Sequence, residues 1–329
     1  MSIKNRPSFW DPRNISNLNY VPNIAAAIAE AVKLTLKPAK KQKEEGNANL
    51  LIIIDPEKDF TPGGRLGVNG TFEDIERLGE RIIEGTLSEH YTDAVITIDQ
   101  HPEFHISSPT WWLDEFGNMI DATLPVMLTL IDNNPNDPVF EGLNVAGKKL
   151  GKVRPRLMKK HCIKYAEHLQ ATGQGSIWVF TPHCLQGTDG IQVNGALREL
   201  LTWFSVARKT DLSFLYKGHI AQVDWFGPFC PCMEVPGHPQ GGWQTIYLDK
   251  IRDSKTTEIA GEAEDFCVKC GVDQVIEYYG NQPDVLKTIK FLGNCTSAIV
   301  PGGDAVKALH KNMSDNGVQV INHDAPFGN

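Results

Sequence analysis

The stretch Ala94–Trp112 reads AVITIDQHPEFHISSPTWW, and it joins an apolar strand directly to an acid and two histidines. The run AVITI has the β-branched content of a buried strand. A simple turn after such a strand would use Gly, Asn or Ser, whereas here Asp99 and His101 follow at once, with His105 nearby. The stretch therefore predicts a sheet strand that ends in a chemical site.

Short apolar runs alternate with helical periodicity on both sides of this stretch, from Asn49 to near the C-terminus. Such alternation is typical of a parallel sheet with crossover helices on both faces. We therefore expect an α/β fold, a three-layer Rossmann-like parallel sheet flanked by helices. The predicted strands are Asn49–Ile54, Ala94–Ile98, Ser176–Phe180, Ser213–Tyr216, Thr257–Gly261, Lys287–Leu292 and Val318–Ile321.

The predicted domain organisation follows from where this alternation begins. Residues 1–48 form an N-terminal extension with one helix, Ile24–Leu36, that docks on the core, and a charged tether, Lys37–Glu45. Residues 49–329 form the α/β domain. Its two long insertions are rich in Pro, Gly and Trp, a feature of segments that cover or border a site, and they span about 109–175 and 219–255.

Composition excludes several classes of protein. The formal charge of −8 argues against a nucleic-acid partner, and the single basic cluster is followed at once by acids. No apolar run approaches the length that spans a bilayer, so no membrane partner is expected. Seven cysteines, an odd number in a chain too large to need disulfides, favour reduced thiols in the cytoplasm.

Ligands of an open parallel sheet bind beyond the carboxyl ends of its strands. The reactive residues that follow the predicted strands are Asp55, Asp99, His101, His183, Lys217, Asp265 and Cys267. Asp99 and His101 are two residues apart on an extended run, so with His183 they suit a divalent transition metal. His105 adds a fourth ligand or lies beside the site. The alternative is that these residues belong to surface turns.

Cys267 follows Asp265 at the predicted start of a helix, where the helix dipole favours a thiolate. Lys217 and Asp55 lie at neighbouring strand ends, where a cation lowers the thiol pKa and a carboxylate moves protons. The alternative is an inert buried thiol. The short CVKC and CPC patterns also permit a redox pair or a zinc knuckle, but Cys270 is interpreted as a packing residue.

Five segments carry a family resemblance: IIIDPEKDFTPGGRLGV, TIDQHPEFHIS, TPHCLQGTDG, YKG and GEAEDFCV. In this order they resemble the nicotinamidase (pyrazinamidase) branch of the isochorismatase-like cysteine hydrolases. The resemblance runs from Asn49 to near the C-terminus outside the insertions. It implies a catalytic triad of Asp55, Lys217 and Cys267. It also implies one divalent metal ion, zinc first with iron or manganese as alternatives, held by Asp99, His101 and His183, with His105 in the same site.

The resemblance implies a chemistry as well. The Cys267 thiolate attacks the amide of nicotinamide, ammonia leaves and water hydrolyses the thioester, a step of NAD salvage. The backbone N–H groups of Ala263 and Cys267 form the oxyanion hole, preceded by a cis peptide bond at Glu262–Ala263. Phe60 and Phe180 stand where the family has aromatic walls for the ring, although either fits the core equally well. A homo-oligomer is expected, because oligomers are common in the family.

This sequence departs from the family pattern at two places. Pro56 and Glu57 replace the usual pair in the first motif, and Phe266 precedes the nucleophile where small or polar residues or His are frequent. These changes leave the triad intact but alter the pocket. Three alternatives stay open: an amidase for another carboxamide, a non-catalytic binding protein on the same scaffold, and a metal-independent isochorismatase, which the three metal ligands disfavour.

Overall fold

The centre of the molecule is the strand Asn49–Ile54, whose six side chains are all buried. A strand can be apolar along its whole length only where both faces of its sheet are covered. The structure, a computed structural model, describes residues 6–327. Residues 1–5 of the predicted extension and the last two residues of the predicted α/β domain lie outside the described residues.

The helices and strands alternate along most of the chain. The helices are α1 (Ile24–Ala31), α2 (Ala39–Glu44), α3 (Thr71–Leu87), α4 (Lys159–Ala171), α5 (Gly195–Arg208), α6 (Thr245–Arg252), α7 (Lys269–Tyr279), α8 (Pro283–Leu286) and α9 (Asp304–Asn316). The strands are β1 (Asn49–Ile54), β2 (Asp93–Asp99), β3 (Trp112–Leu113), β4 (Val126–Asp132), β5 (Val139–Asn144), β6 (Lys149–Pro155), β7 (Ile177–Val179), β8 (Leu212–Lys217), β9 (Thr256–Gly261), β10 (Ile289–Leu292) and β11 (Gln319–Ile321).

Six strands form a parallel sheet in the order β11-β10-β9-β1-β2-β8. Strand order runs outward in both directions from the pair β1 and β9, so the topological switch point lies between the carboxyl ends of these two strands. Ligands bind at this place in open α/β sheets. The predicted three-layer α/β fold is confirmed.

Two separate apolar clusters cover the two faces of the parallel sheet. Leu51 and Ile53 of β1 pack with α1, α3 and α5 on one face. Leu50 and Ile52 pack with α6, α7 and α9 on the other. The alternation of neighbouring side chains between the faces follows from the period of two residues in a strand.

The predicted strand Ser176–Phe180 does not join the parallel sheet, so this assignment was wrong. Its core, β7, pairs antiparallel with β4 in a second sheet of order β3-β6-β5-β4-β7, here called the inserted sheet. Most of the predicted insertion 109–175 forms this sheet and helix α4. The error has a physical reason: an apolar, β-branched run predicts a strand but does not identify its pairing partner.

The N-terminal extension also differs from the prediction. Its first helix ends at Ala31 rather than Leu36, and the predicted tether Lys37–Glu45 contains the helix α2. Ala39 is fully buried, and the Lys43 ammonium pairs with Asp93 at 2.8 Å. Burial and pairing hold this charged segment on the domain. None of the helices in residues 6–327 combines the length and the apolar character that crossing a bilayer requires.

Candidate active site

The Lys217 ammonium connects three predicted site residues beyond the carboxyl ends of the parallel strands. Its Nζ lies 2.9 Å from Asp55 Oδ2 and 3.1 Å from Asp99 Oδ1, and it donates to Cys267 Sγ at 3.7 Å. Lys217, Asp55 and Asp99 end or follow β8, β1 and β2, whereas Cys267 follows β9. The switch point of the sheet therefore brings the lysine, two carboxylates and the thiol into contact.

Burial and charge together set the proton affinities of this cluster. Burial by itself would lower the pKa of Lys217, but Asp55 and Asp99 raise it well above its usual value. Burial also raises the pKa of the Cys267 thiol well above normal, although Lys217 opposes this effect. The pKa of Asp55 is raised by its burial, again against Lys217. The resting cluster thus contains a lysine cation and a protonated thiol.

The Asp55 side chain is fixed by an unusual backbone conformation. Asp55 has a φ of 49°, in the left-handed region that non-glycine residues seldom adopt. Its N–H donates to the Thr97 hydroxyl at 3.0 Å, and that hydroxyl donates to Asp55 Oδ1 at 2.5 Å. One threonine of the neighbouring strand therefore holds both the backbone and the carboxylate, and it leaves Oδ2 directed at Lys217.

The second oxygen of Asp99 faces two of the predicted metal ligands. Asp99 Oδ2 lies 2.9 Å from His101 Nε2 and 3.4 Å from His183 Nε2. Both rings donate from Nδ1 to backbone carbonyls, His101 to Gly218 at 3.0 Å and His183 to Thr181 at 2.8 Å. These bonds leave each Nε2 free to hold either a proton or a metal ion.

Two imidazole lone pairs that converge on a carboxylate oxygen need a cation or a proton between them. All three side chains are buried, and their ligand atoms lie within 4.8 Å of one another. Burial alone would raise the pKa of Asp99, but His101 and Lys217 outweigh it and hold that pKa well below its usual range. An ionised carboxylate with two imidazole nitrogens is a donor set that fits a divalent transition metal.

His105 lies beside this site with both ring nitrogens in use. Its Nε2 donates to the Val223 carbonyl at 3.1 Å, and its Nδ1 accepts from the Ser107 N–H at 3.1 Å. Burial, together with His101, lowers the pKa of His105 to about 4, so the ring is neutral. A metal bond to His105 would require one of these backbone bonds to break.

His183 reaches the site from a different sheet than the sequence predicted. It follows β7 of the inserted sheet, not a strand of the parallel sheet. A parallel bridge between His101 and Leu185 joins the two segments. Asp59 strengthens the connection, because its Oδ2 accepts from the Cys184 N–H at 2.7 Å.

Cys267 lies in a π-helical turn, Glu264–Val268, that leads into α7. The peptide bond Glu262–Ala263 is cis, as the family resemblance implied. Within residues 6–327, the Ala263 N–H donates no hydrogen bond. The position of this free donor close to Cys267 in the chain suits an oxyanion hole.

An apolar cavity of about 560 Å³ opens above the cluster. Asp99, His101, His183, Lys217 and Cys267 lie among its lining residues. The rings of Phe60 and Phe180 also line it, and both make edge contacts with the ring of His183, at centroid distances of 5.6 Å and 5.8 Å. The structure thus brings Phe60 and Phe180 to the same cavity as the predicted catalytic and metal residues.

Two buried acids near the site were missed by the sequence analysis. Burial, with the nearby charges of Asp55 and Asp99, raises the pKa of Glu57 well above its usual value, and Glu57 Oε1 accepts from the Asp99 N–H. Asp224 lies with His101 and His105 in a second group of possible ligands. Glu57 was visible as a departure from the family motif, and Asp224 follows Lys217 closely in the chain.

The cysteine patterns form no metal site in the described part of the chain. The two candidate metal groups found in residues 6–327 contain no cysteine. Cys230, Cys232, Cys267 and Cys270 are all free thiols.

No protein-family model matches the sequence, and no curated protein matches it significantly. Solved structures do resemble its fold. A nicotinamidase-pyrazinamidase from Acinetobacter baumanii is 20% identical with a TM-score of 0.50, and the match covers 84% of this chain and 97% of that one. The yeast nicotinamidase is 17% identical with a TM-score of 0.51, over 83% of this chain and 99% of that one. The yeast enzyme bound to the inhibitor nicotinaldehyde gives 16% identity and a TM-score of 0.52 over the same shares.

The similarity in fold to these structures extends over more than four fifths of this chain. Their low identity limits the inference to architecture. The chain therefore has the three-layer α/β fold of these solved nicotinamidase structures.

Proposed function

We propose that this protein is a metal-dependent nicotinamidase, which hydrolyses nicotinamide to nicotinate and ammonia. The nicotinate would then enter NAD salvage. One observation carries the proposal. Lys217 contacts Asp55, Asp99 and Cys267 together, while the other oxygen of Asp99 faces the Nε2 atoms of His101 and His183. A nucleophile, a base and a set of possible metal ligands are thereby connected through one lysine.

Proton transfer comes first in the proposed reaction. The Cys267 thiol is protonated at rest, so Asp55 removes its proton as the sulfur attacks the carboxamide carbon. Lys217 stabilises the thiolate electrostatically and orients the Asp55 carboxylate. The Ala263 and Cys267 N–H groups bind the oxygen that becomes negative in the tetrahedral state.

The remaining steps return the enzyme to its starting state. Asp55 gives the proton to the amide nitrogen, the C–N bond breaks and ammonia leaves a thioester on Cys267. Asp55 then takes a proton from water, which attacks the thioester and releases the acid and the thiol. A divalent ion, zinc or alternatively iron or manganese, would be held by Asp99, His101 and His183 and would orient the ring nitrogen of the substrate.

The walls of the cavity also weigh against an anionic substrate such as isochorismate. Among the described residues that line it, Lys217 is the only lysine or arginine. Its charge is already balanced by Asp55 and Asp99. No lysine or arginine of the described lining is therefore left to pair with a dianion, whereas a neutral carboxamide needs no such partner.

Ammonia release from nicotinamide by the purified protein tests this proposal. We expect Cys267→Ala to lower kcat/KM by at least about four orders of magnitude, the usual scale for a lost nucleophile. Cys270→Ala, one helical turn further along the chain, is the matched control and should leave the rate unchanged. We also expect about one transition-metal ion per chain. Equal activity of the Cys267→Ala variant, or no ammonia from any carboxamide, would overturn the proposal.

A further inference from the structure

The cavity is larger than its reaction requires. At about 560 Å³ it lies within the roughly 300–1,000 Å³ range of sites that enclose drug-sized ligands. Nicotinamide is a single ring with one amide group. The predicted catalytic and metal-binding residues of the lining are buried, and six of the other lining residues are aromatic: Phe60, Trp178, Phe180, Trp225, Phe226 and Phe266.

Four aliphatic side chains extend this apolar wall to the surface. Leu124 and Val145 come from the inserted sheet and its connections, and Ile299 and Val300 come from the loop between β10 and α9. They are 43%, 59%, 59% and 61% exposed, respectively. Large aliphatic side chains are seldom left in water together, and a contiguous exposed group of them marks a binding surface.

The loop that carries Ile299 and Val300 is held in place. Both backbone N–H groups donate to the Asp265 carboxylate, each at 2.8 Å. Asp265 is two residues before Cys267, so the rim and the nucleophile are fixed by one segment. The apolar rim is therefore part of the site and does not belong to a loose surface loop.

The same wall excludes a charged substituent. Asp265 is engaged with the loop, and Lys217 is 1% exposed at the base of the cavity. A charged group that left water to pack against this apolar wall would gain no partner of opposite charge there. The occupant that fits this space is neutral and apolar.

We propose that the preferred substrates are primary aromatic carboxamides with a bulky, neutral, apolar substituent. This inference rests on the proposed amidase function. The amide carbon is attacked by Cys267 as described above, so the same C–N bond breaks and ammonia leaves. The substituent lies between the inserted sheet and the 299–300 loop, against Leu124, Val145, Ile299 and Val300.

A comparison of nicotinamide with 5-phenylnicotinamide tests the inference. Both compounds keep the ring nitrogen and the amide, and they differ in one apolar ring. We expect kcat/KM for ammonia release to be at least about tenfold higher for the phenyl compound, because transfer of its extra ring from water to the cavity is favourable. A lower or equal kcat/KM for the phenyl compound would overturn the inference and leave the nicotinamidase proposal standing.

Substitutions at the rim test whether the rim residues cause the preference for the phenyl compound. Val145→Asp and Ile299→Asp should each lower the ratio of the two kcat/KM values by about tenfold, since a carboxylate opposes burial of the phenyl ring. Ile131→Asp is the matched control. Ile131 is 55% exposed on β4 of the inserted sheet, outside the cavity lining, so this variant should keep the wild-type ratio.

The remaining outcomes are also decisive. Hydrolysis of the phenyl compound without hydrolysis of nicotinamide would support the inference and limit the proposed function to larger amides. Hydrolysis of neither compound, with Cys267 no more reactive toward iodoacetamide than an ordinary thiol, would overturn both proposals. If Val145→Asp dissociates an oligomer in sedimentation and leaves the substrate ratio unchanged, the rim is a contact between copies and the inference is wrong.

Discussion

The six-stranded parallel sheet and the five-stranded inserted sheet border one cavity, but they supply it with different kinds of side chain. Strand ends of the parallel sheet position Asp55, Asp99 and Lys217, whose charges must meet within about 3 Å. The inserted sheet supplies Trp178 and the segment with Leu124, both apolar wall residues. Under the proposed function, the first sheet positions the charged reacting groups and the second supplies part of the apolar wall that contacts the substrate.

Among these predictions, replacement of the Lys217 ammonium should have the largest effect on activity. Lys217→Met leaves Asp55 and Asp99 buried without their partner and removes the charge beside the thiol, so we expect kcat/KM to fall by about four orders of magnitude. Lys250→Met is the matched control, because the Lys250 ammonium pairs with Asp93 at the opposite end of β2, at 2.6 Å. A Lys217→Met enzyme with more than a tenth of wild-type activity would contradict the assignment.

Shortening a core side chain tests whether the two sheets unfold independently. Phe140 of β5 is fully buried in the apolar cluster that packs against the inserted sheet, so Phe140→Ala should destabilise that sheet by about 3–5 kcal/mol. Hydrogen exchange should accelerate in residues 126–155 and stay unchanged in β1 and β2. Phe291→Ala in β10 is the matched change in the parallel sheet. Equal acceleration in both sheets would show one cooperative unit.

A glycine substitution tests the metal ligands without changing them. Gly218 has a φ of +75°, and a Cβ there would lie 2.5 Å from Asp99 Oδ1 and 2.7 Å from His101 Cε1. We expect Gly218→Ala to weaken metal binding by between about ten- and a hundredfold, as measured by competition with a chelator. Gly173→Ala has a similar φ of +73° but no heavy atom within 4 Å. Both variants place an alanine at a positive φ, so they share that strain. Equal metal affinity of the two variants would contradict the predicted contact of the new Cβ with Asp99 and His101.

The smallest predicted effect lies far from the cavity, next to the start of β2. Burial lowers the pKa of His90 to about 4, with Glu258 opposing and Arg81 adding to the effect. The unfolded chain therefore binds this proton first, near pH 6.5, and stability falls as the pH drops from there toward 4.

The decrease in the free energy of unfolding that is due to His90 should reach about 1 kcal/mol by pH 5.5. His90→Phe, which keeps a ring against Phe327, should lack this component in urea titrations at several pH values. Parallel stability curves for the two proteins would mean that His90 is not buried as a neutral ring. Ammonia release at neutral pH should be the same for both, because the parallel-sheet charges at the cavity are untouched.

The sequence predicted the parallel sheet better than the inserted one for a physical reason. A strand buried on both faces, such as β1, is an unbroken apolar run, and polar residues mark where it ends. The strands of the inserted sheet contain fewer apolar residues, and β4 is only partly buried. No unbroken apolar run therefore marks these strands in the sequence. Ser176–Phe180 was a recognisable strand, but pairing with β4 is a long-range choice that local composition does not encode.

Site residues show the same difference. Asp99, His101 and Lys217 were found because parallel strands place their carboxyl ends together. Glu57 and Asp224 were not, because their importance comes from burial next to other charges, which is a property of the folded chain. Helix α2 was missed since its charged composition resembles that of a solvated linker, and the Asp93 partner of Lys43 is distant in sequence.

The segment after β7 links the wall of the cavity to the candidate metal site. Phe180 of the cavity wall and His183 beside Asp99 are three residues apart, and both follow a strand that belongs to the inserted sheet. Mutations elsewhere in that sheet can reshape the wall while Asp59 keeps the His183 loop anchored to the parallel sheet. Substitutions in one sheet can therefore change the cavity wall while the other sheet keeps Asp55, Asp99 and Lys217 in contact.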